Sequence, residues 1–214
     1  MNRIEPDSAS LPWAPAADEN KQAILTVLQR HLRSPASVLE LGAGTGQHAV
    51  HFATALPWLR WLASELPALL PGLAARLALA GLPNLPPPCP LDVLAGGEWP
   101  VPGVDHAYTA NTAHILPWRG VIALFAGLAR SLRPDGLFFL YGPVLDGPAS
   151  ADSNLRFDAA LRARDPLQGV RELADLLPLA KAHGFELLSI EAMPRDNVTL
   201  IWRLRPAPPA ALPT

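Results

Sequence analysis

Short apolar runs alternate with longer segments of helical periodicity along most of the chain. Residues 19–32 predict the first helix, with Asp18 as its N-cap, because apolar positions recur there every three or four residues. The apolar run 37–41 ends in glycines, a pattern typical of a buried parallel strand that leads into a tight turn. A helix from about Gln47 follows that turn. The opening of the chain therefore predicts a helix and then a strand–turn–helix unit.

The same alternation continues to the end of the chain. Further strands are predicted near 59–64, in a segment that ends at Asp92, and near 106–110, 137–141, 185–190 and 198–203. Further helices are predicted near 68–80, 119–132, 151–164 and 170–183, and Pro134-Asp135-Gly136 is predicted as a turn. Seven strands interleaved with helices predict an α/β protein with a Rossmann-like, doubly wound sheet. We expect this sheet to be mostly parallel, with an antiparallel last strand and helices on both faces.

The length and the ends of the chain determine the expected domain organisation. With 214 residues the chain is long enough for one α/β domain and short for two. We expect a single domain over residues 1–205, with an irregular arm over residues 1–17 and an insertion after the fifth strand over residues 143–170. Residues 206–214 are rich in proline and alanine, have little to bury, and predict a flexible tail.

Composition and charge narrow the class of protein. Hydrophobic residues make up 50% of the chain and charged residues 17%, a balance that suits a buried sheet and excludes a disordered chain. The formal net charge of -2 and the scattered arginines do not favour a nucleic-acid partner. No segment has the pattern of a signal peptide or a membrane span. Cys89 is the single cysteine, which excludes an internal disulfide, and we expect a cytoplasmic protein without a membrane partner.

The turn Gly42-Ala43-Gly44-Thr45-Gly46 is the strongest chemical signal in the sequence. Glycine tolerates positive φ and has no Cβ, so such a turn brings backbone N–H groups close to a ligand. The dinucleotide pattern G-x-G-x-x-G requires glycine where this chain has Gln47, and the P-loop ending Gly-Lys-Ser/Thr is absent. Taken alone, the turn is either a cofactor cradle or a simple tight connection.

Carboxylates at three strand ends favour the cradle. Glu40 precedes the turn, Glu65 ends the second strand 19 residues after Gly46, and Asp92 ends the third. The carboxyl ends of parallel strands meet at one edge of a sheet, and a carboxylate there can accept hydrogen bonds from both hydroxyls of a ribose. Each acid alone is commonly a solvated strand-end residue. Together they predict a ligand site beside the glycine turn.

The acidic-x-G-x-G-x-G arrangement that starts at Glu40 resembles motif I of the class I methyltransferases that use S-adenosylmethionine (AdoMet). The resemblance implies that AdoMet is the cofactor and that the glycine turn faces its methionine part. It also implies that the end of the second strand contacts the ribose and the end of the third contacts the adenine. The cofactor-binding residues predicted in this way are Glu40, Gly42, Ala43, Gly44, Thr45, Gly46, His48, Glu65, Leu66, Asp92, Val93, Asn111 and Thr112.

Several other stretches resemble a narrower family, the proteins related to methyltransferase-like 26. These stretches are Asn20-Lys21 and residues 44–53, 110–115, 117–118, 132–134, 140–143, 153–154, 157–158 and 161–166. They extend over most of the chain and imply the methyltransferase fold and AdoMet binding, but no particular acceptor. The chain departs from the family at Glu19, where arginine is common, and at Glu65, where aspartate is usual.

The residues expected near a methyl acceptor follow the fourth strand. Methyltransferases that act on adenine or glutamine nitrogens carry an Asn/Asp-Pro-Pro-aromatic turn, whereas this chain has Asn111-Thr112-Ala113-His114. Those nitrogen acceptors are therefore disfavoured. His114 is a candidate base or orienting group, with a hydrogen-bonded turn residue as the alternative.

Further candidates follow the fifth strand, in the insertion where methyltransferases often build the substrate side of the site. Asn154, Asp158 and Arg162 share one helix face there, although an ordinary surface ion pair is the alternative for the two charged residues. With Tyr141 before them, the predicted catalytic residues are His114, Tyr141, Asp158 and Arg162. No metal site is predicted, because no carboxylate is spaced to join His48 and His51 on their helix.

The leading hypothesis is an enzyme that transfers a methyl group from AdoMet to a small molecule by in-line displacement, as a monomer or a homodimer. Such a reaction requires the acceptor atom to be held about 3 to 3.5 Å from the methyl carbon. A protein methyltransferase and a catalytically silent AdoMet-binding partner protein are the alternatives. A nicotinamide oxidoreductase is disfavoured by Gln47.

Overall fold

The computed structural model describes residues 11–206, which form six α-helices and eight strands. The helices are α1 (Pro15–His31), α2 (Gln47–Ala55), α3 (Leu70–Ala80), α4 (Trp118–Ser131), α5 (Asp152–Arg164) and α6 (Leu173–Ala182). The strands are β1 (Ala36–Leu41), β2 (Leu59–Glu65), β3 (Cys89–Pro90), β4 (Val104–Ala110), β5 (Leu132–Leu145), β6 (Arg171–Glu172), β7 (Phe185–Met193) and β8 (Asn197–Leu204). Short 3-10 helices cover Pro67–Leu69 and Gly147–Ala149.

The strands form one sheet in the order β3-β2-β1-β4-β5-β8-β7, and β6 pairs with the end of β5. Strand β1 runs parallel to β2 and β4, and β4 runs parallel to β5, whereas β8 runs antiparallel to both of its neighbours. The strand order reverses between β1 and β4, which opens a crevice at their carboxyl ends. The predicted doubly wound, mostly parallel sheet with an antiparallel last strand is confirmed.

Apolar side chains on both faces of the sheet pack against helices. On one face Trp61 of β2 packs with Phe52 of α2 and with the buried stripe of α1. On the other face Trp202 of β8 packs with Phe125 of α4. Each large side chain buried in this way contributes about 1.5–3 kcal/mol. The two cores therefore hold the strand ends around the crevice in fixed positions.

The amino-terminal helix begins earlier than the sequence predicts. Its first residue is Pro15, and Ala14 occupies the N-cap position with an extended backbone. Proline suits the first helical turn, because its φ is already helical and the N–H that it lacks would have no partner there. Asp18 therefore lies inside the first turn and pairs with Lys21 instead of capping the helix. Residues 1–10 of the predicted arm and 207–214 of the predicted tail lie outside the described residues.

Other predicted boundaries also move. Pro134-Asp135-Gly136, predicted as a turn, lies within β5 as a bulge, since Leu132 pairs with Val104 and Leu137 already pairs with His106. Strand β3 contains only Cys89–Pro90 and ends before Asp92, because the prolines at 86–88 and 90 have no N–H to donate to a ladder. Strand β5 continues to Leu145, so the predicted insertion 143–170 begins inside a strand. Over residues 11–206, none of the helices has the length and apolar character needed to cross a bilayer.

Candidate functional site

A cavity of about 450 Å³ opens at the carboxyl ends of β1, β2 and β4, beside the start of α1. We call it the turn cavity, because the glycine turn after β1 forms part of its wall. All residues predicted to bind a cofactor line it, except Glu40 and Gly46. The lining residues from that set are Gly42, Ala43, Gly44, Thr45, His48, Glu65, Leu66, Asp92, Val93, Asn111 and Thr112.

The glycine turn and the end of β2 are bonded to each other. Gly42 has φ +67°, and a Cβ there would lie 2.8 Å from Thr112 Oγ1, so the turn approaches the loop after β4 too closely for a side chain. The N–H of Gly44 donates to Glu65 Oε2 at 2.7 Å, and the N–H of Leu66 donates to Glu65 Oε1 at 2.7 Å. The Glu65 carboxylate is thereby held in the cavity wall, and each of its oxygens keeps a lone pair for a ligand.

Glu40 and Gly46 lie behind the turn and not in the cavity wall. Glu40 is 2% exposed, and its Oε2 accepts a hydrogen bond from Trp61 Nε1 at 2.6 Å. Burial raises the pKa of Glu40 to about 7, and the nearby Glu65 carboxylate adds to this effect. Gly46 has φ 78° at the N-cap of α2 and packs against Leu73. The structure thus places both residues where they support the turn from the core side.

Asp92 and Asn111 complete the wall of the turn cavity. Asp92 Oδ1 accepts the N–H of Leu94 at 2.8 Å, which shapes the loop after β3. Asn111 follows β4 with φ 56°, and its N–H donates to the carbonyl oxygen of Tyr141 at 2.9 Å. A left-handed backbone is uncommon outside glycine and is tolerated best by asparagine and aspartate. The fold holds Asn111 in this conformation at the edge of the cavity.

A second cavity, of about 480 Å³, adjoins the turn cavity and shares Ala16 and Asn111 with it. We call it the polar cavity, because seven of the thirteen residues that line it have uncharged polar side chains. Those side chains belong to Asn20, Asn111, His114, Tyr141, Ser153, Asn154 and Asn197. Two of the predicted catalytic residues, His114 and Tyr141, are therefore brought together beside the predicted cofactor residues.

Both His114 and Tyr141 are buried and uncharged near neutral pH. His114 is 6% exposed, and burial lowers its pKa to about 4, with a further contribution from the positive charges of Arg171 and Arg164. The His114 ring lies edge-on to Phe157, with 5.2 Å between the ring centroids. Burial raises the pKa of Tyr141 above its usual value. Each side chain can donate or accept a hydrogen bond without carrying charge.

Asp158 and Arg162 line neither cavity. Arg162 Nε donates to Asp158 Oδ2 at 2.8 Å, and Asp158 Oδ1 accepts the N–H of Val170 at 2.8 Å. A Cβ at Gly169 would lie 2.6 Å from the Arg162 guanidinium, so the ion pair packs closely on this loop. Of the predicted helix face only Asn154 reaches the polar cavity. The structure thus places Asp158 and Arg162 outside both cavities, where they fasten the loop after α5 to that helix.

Helix α1 and the β7–β8 hairpin supply wall residues that the sequence does not predict. Ala16 borders both cavities, and Asn20 and Arg195 border the polar cavity. Asn20 is 7% exposed, and its Oδ1 lies 2.6 Å from His48 Nε2. The stretch Asn20-Lys21 is the signal that points to this residue, but no local pattern places α1 beside the sheet edge.

Arg76 and Gln47 hold the start of α1 against the turn cavity. Arg76 Nε donates to the carbonyl oxygen of Thr45 at 2.5 Å, and its Nη2 donates to the carbonyl oxygen of Pro12. The same guanidinium lies 5.9 Å from the Trp13 ring centroid, and Gln47 Oε1 accepts the N–H of Ala14 at 2.7 Å. Within residues 11–206 no cluster of three or more metal-ligating side chains is present at this site or elsewhere.

Comparison with protein families identifies the chain. A family model described as "Protein of unknown function (DUF938)" matches residues 11–204. The chain belongs to the DUF938 family. The match extends over both cavities of this DUF938 protein, from the start of α1 to the end of β8.

Solved structures share the fold of the DUF938 chain. The S-adenosylmethionine-dependent methyltransferase SibL, in its apo form, matches with a TM-score of 0.75 and 20% identity, over 90% of this chain and 56% of its own. An O-methyltransferase family 2 protein from Planctomyces limnophilus, in complex with apigenin, matches with a TM-score of 0.74 and 16% identity, over 88% and 57%. CalO1, a methyltransferase in calicheamicin biosynthesis in its SAH-bound form, matches with a TM-score of 0.70 and 18% identity, over 90% and 54%.

These matches establish the architecture of the DUF938 chain. The chain spans little more than half the length of each of the three proteins. At identities of 16% to 20% the property that the chain shares with these three methyltransferases is the fold.

Proposed function

We propose that the chain is an AdoMet-dependent methyltransferase and that the turn cavity binds AdoMet. One observation carries the proposal: the glycine turn, Glu65, Asp92 and Asn111, from four separate strand ends or loops, line a single cavity of about 450 Å³. A methyltransferase is also the kind of protein that shares the fold, and one such protein, CalO1, is described with S-adenosylhomocysteine bound.

The chemistry of the wall fits the parts of AdoMet. The N–H groups of the glycine turn and the side chains of Asn111 and Thr112 would bind the amino-acid end, and Glu65 would accept hydrogen bonds from the ribose hydroxyls. Asp92 would accept from the adenine amino group. When bound, AdoMet supplies a methyl group on a sulfonium; the acceptor atom bonds to the methyl carbon as the carbon–sulfur bond breaks, and the electron pair stays on sulfur.

The polar cavity favours a small-molecule acceptor. It adjoins the turn cavity through Ala16 and Asn111, and its volume of about 480 Å³ is in the range of small-molecule sites. Helix α1, helix α5 and the β7–β8 hairpin surround it. One protein of the same fold is described in complex with the small molecule apigenin. A side chain of another protein is the alternative acceptor.

We further propose that the chain is of the methyltransferase-like 26 type. The stretches that resemble that family contain Asn20, Asn111, His114, Tyr141 and Asn154, which lie together in the polar cavity. We also propose that residues 1–205 act as one domain in the cytoplasm, as a monomer or a homodimer. The single cysteine suits a reducing compartment.

Calorimetric titration with S-adenosylhomocysteine tests the cofactor site. We expect Glu65→Gln to weaken binding about tenfold or more, because the amide offers one acceptor oxygen and turns hydrogens toward the ribose hydroxyls. The same substitution should weaken binding of the 2′-deoxy analogue less, since one of those hydroxyls is absent. Glu98→Gln is the matched control, because Glu98 is exposed and lines neither cavity. A wild-type protein that binds no ligand at millimolar concentration would contradict the proposal.

A labelling experiment distinguishes the two classes of acceptor. Purified protein and methyl-labelled AdoMet are added to a cell lysate, which is then separated into macromolecules and metabolites. The small-molecule proposal predicts label in the metabolite fraction that is reduced with the Glu65→Gln variant. Label on protein alone would favour the alternative acceptor.

A further inference from the structure

The polar cavity carries almost no net charge. Glu19 and Arg195 are the charged side chains in its wall, and Arg195 Nη2 lies 3.2 Å from Glu19 Oε2, so the two form an ion pair. Their side chains are 51% and 77% exposed, which places this pair at the mouth. His114 in the interior is neutral at pH 7 because burial lowers its pKa to about 4. A charged ligand would lose hydration here without meeting an opposite charge, so the cavity favours an uncharged one.

A chain of polar contacts connects the core, the turn cavity and the polar cavity. Tyr108 Oη lies 3.3 Å from His48 Nδ1, and His48 Nε2 lies 2.6 Å from Asn20 Oδ1. The amide oxygen of Asn20 can only accept a hydrogen bond, so His48 Nε2 must carry the hydrogen of this bond. A neutral imidazole carries a single N–H, so Nδ1 has none and accepts from Tyr108. Burial keeps His48 neutral by lowering its pKa to about 4.

This order of donors determines the role of the Tyr141 hydroxyl. With its oxygen committed to His48, Asn20 has only its NH₂ group left to donate, and Tyr141 lies in the same wall of the polar cavity. Burial raises the pKa of Tyr141, and the Asn20 side chain lowers it by a smaller amount. The hydrogen of the Tyr141 hydroxyl is then free for a group in the polar cavity, where Tyr141 is part of the wall.

Part of the wall of the polar cavity is apolar. Phe157, Pro143 and Pro194 lie in its wall among the polar side chains. Phe157 is 41% exposed although its ring packs against His114, so part of this side chain is open to a ligand. The cavity therefore suits a molecule with an apolar body and a polar group directed at Tyr141 and His114.

We infer that the polar cavity is the methyl-acceptor site and that it takes a small uncharged alcohol or phenol. The hydroxyl oxygen accepts a hydrogen bond from Tyr141 Oη, and the hydroxyl hydrogen is donated to the His114 ring. Oxygen has two lone pairs, so one accepts from Tyr141 while the other bonds to the methyl carbon. An aliphatic amine lacks this capacity, because it is an ammonium ion without a free lone pair at neutral pH.

The proton balance of this reaction involves His114. As the carbon–oxygen bond forms, the oxygen becomes positive and its proton strongly acidic, so even a weakly basic imidazole can take the proton and pass it to solvent. Asn20 is a positioning residue, since it acts through Tyr141. The inference rests on the proposed function, because a methyl donor in the turn cavity is what makes the adjoining cavity an acceptor site.

Fluorine NMR with three probes that share a 4-fluorophenyl ring and differ in charge tests the inference. Full-length protein saturated with S-adenosylhomocysteine is titrated with 4-fluorophenol, 4-fluorobenzoate and 4-fluorobenzylamine. We expect 4-fluorophenol to bind at least about fivefold more tightly than either ion. Tyr141→Phe should weaken the 4-fluorophenol affinity about fivefold, the effect of one lost hydrogen bond, while the S-adenosylhomocysteine affinity changes less than about threefold.

A change in helix α1 tests the chain of donors separately from the Tyr141 hydroxyl. Asn20→Asp removes the donor to Tyr141 and accepts the Tyr141 hydrogen itself, so it should weaken 4-fluorophenol binding about as much as Tyr141→Phe. Gln22→Glu is the matched control, because it makes the same amide-to-acid change at an exposed position of the same helix outside both cavities. The control should bind 4-fluorophenol as the wild type does.

Different failures have different meanings. If either ion binds as tightly as 4-fluorophenol, or Tyr141→Phe has no effect, the acceptor class is overturned. If S-adenosylhomocysteine binds and none of the probes does, the acceptor-site inference falls while the proposed function stands. If S-adenosylhomocysteine itself does not bind, the proposed function is overturned and the inference with it.

Discussion

Two glycines of the turn after β1 share a left-handed backbone but have different surroundings. Gly42 has φ +67°, and a Cβ built on it would lie 2.8 Å from Thr112 Oγ1. Gly44 has φ +55°, and within the described residues no heavy atom lies within 4 Å of a Cβ built there. The positive φ disfavours any L-residue at both positions, and Gly42 alone adds a steric clash.

Alanine substitutions should separate these two costs. We expect Gly42→Ala to lower the free energy of unfolding by about 2 kcal/mol or more and Gly44→Ala by about 1 kcal/mol. Because the new methyl group at position 44 would project into the turn cavity, Gly44→Ala should nevertheless weaken S-adenosylhomocysteine binding about tenfold. Urea denaturation and calorimetry measure the two effects. Equal losses of stability in both variants would count against the clash at Gly42.

Single residues were predicted well where topology alone determines their position. Glu65 and Asp92 could be assigned to one site because the carboxyl ends of neighbouring parallel strands meet at one edge of the sheet. Glu40 could not be placed in this way, since its direction depends on Trp61 of the neighbouring strand, which takes its carboxylate into the core. His114 was suggested by its place after the fourth strand and Tyr141 by the family resemblance, and their shared cavity became visible only in the structure.

Helix α1 is the element that closes both cavities. Its first turns contribute Ala14, Ala16 and Ala17 to the turn cavity, and Ala16, Glu19 and Asn20 to the polar cavity. The residues before it are attached to the glycine turn through Arg76 and Gln47. A ligand that enters or leaves the turn cavity on this side must pass this attachment.

Loosening the attachment should therefore accelerate ligand exchange. Arg76→Leu removes the bonds to Thr45 and Pro12 and the contact with Trp13 while keeping an apolar stem on α3. We expect the dissociation rate of S-adenosylhomocysteine to rise about tenfold, roughly what the loss of these contacts would produce. Stopped-flow displacement measures the rate, and Arg130→Leu, at an exposed position in the last turn of α4, is the control. An unchanged rate for Arg76→Leu would mean that α1 does not gate the cavity.

The elements were predicted more completely than their packing. The sequence located both ends of α4 and α5 to within one residue and the start of α2 at Gln47. The start of α1 was misplaced, since Pro15 can begin a helix without a side-chain cap. The docking of α1 onto the strand ends depends on Gln47 and Arg76, which lie far from α1 in the sequence. No sequence pattern within the helix predicts it.

The stability of the whole molecule should depend on pH through its buried ionisable groups. Burial raises the pKa of Glu40 to about 7 in the folded protein, whereas the ordinary pKa of a glutamate is 4.5. Between these values the unfolded chain has lost the proton and the folded protein keeps it, so the Glu40 contribution to the free energy of unfolding falls as pH rises, and it is constant above about pH 7. His48 and His114 act in the opposite sense. Burial lowers the pKa of each histidine from its ordinary value of 6.5 to about 4, so the unfolded chain takes up these protons first. The free energy of unfolding therefore falls as pH falls through this range.

Glu40→Gln isolates the first of these effects. The glutamine amide oxygen can still accept a hydrogen bond from Trp61, and the glutamine side chain cannot ionise. The stability of the variant relative to the wild type should therefore increase from pH 5 to pH 8. We expect this change to be about 2 kcal/mol. The two histidines are present in both proteins and cancel in the difference. Urea denaturation at both pH values measures it, and a difference that does not vary with pH would show that Glu40 does not titrate in this range.

The sequence by itself determined the class of fold, the approximate elements and the set of residues at the strand ends. These features depend on local backbone preferences, on the periodicity of apolar side chains and on the rule that parallel strands end at one edge. Only the tertiary structure decided that Glu40 faces Trp61, that Asp158 and Arg162 fasten a loop, and that α1 joins two cavities. Such contacts join residues far apart in sequence, and they form only where the packing of the entire core brings the partners within hydrogen-bonding distance.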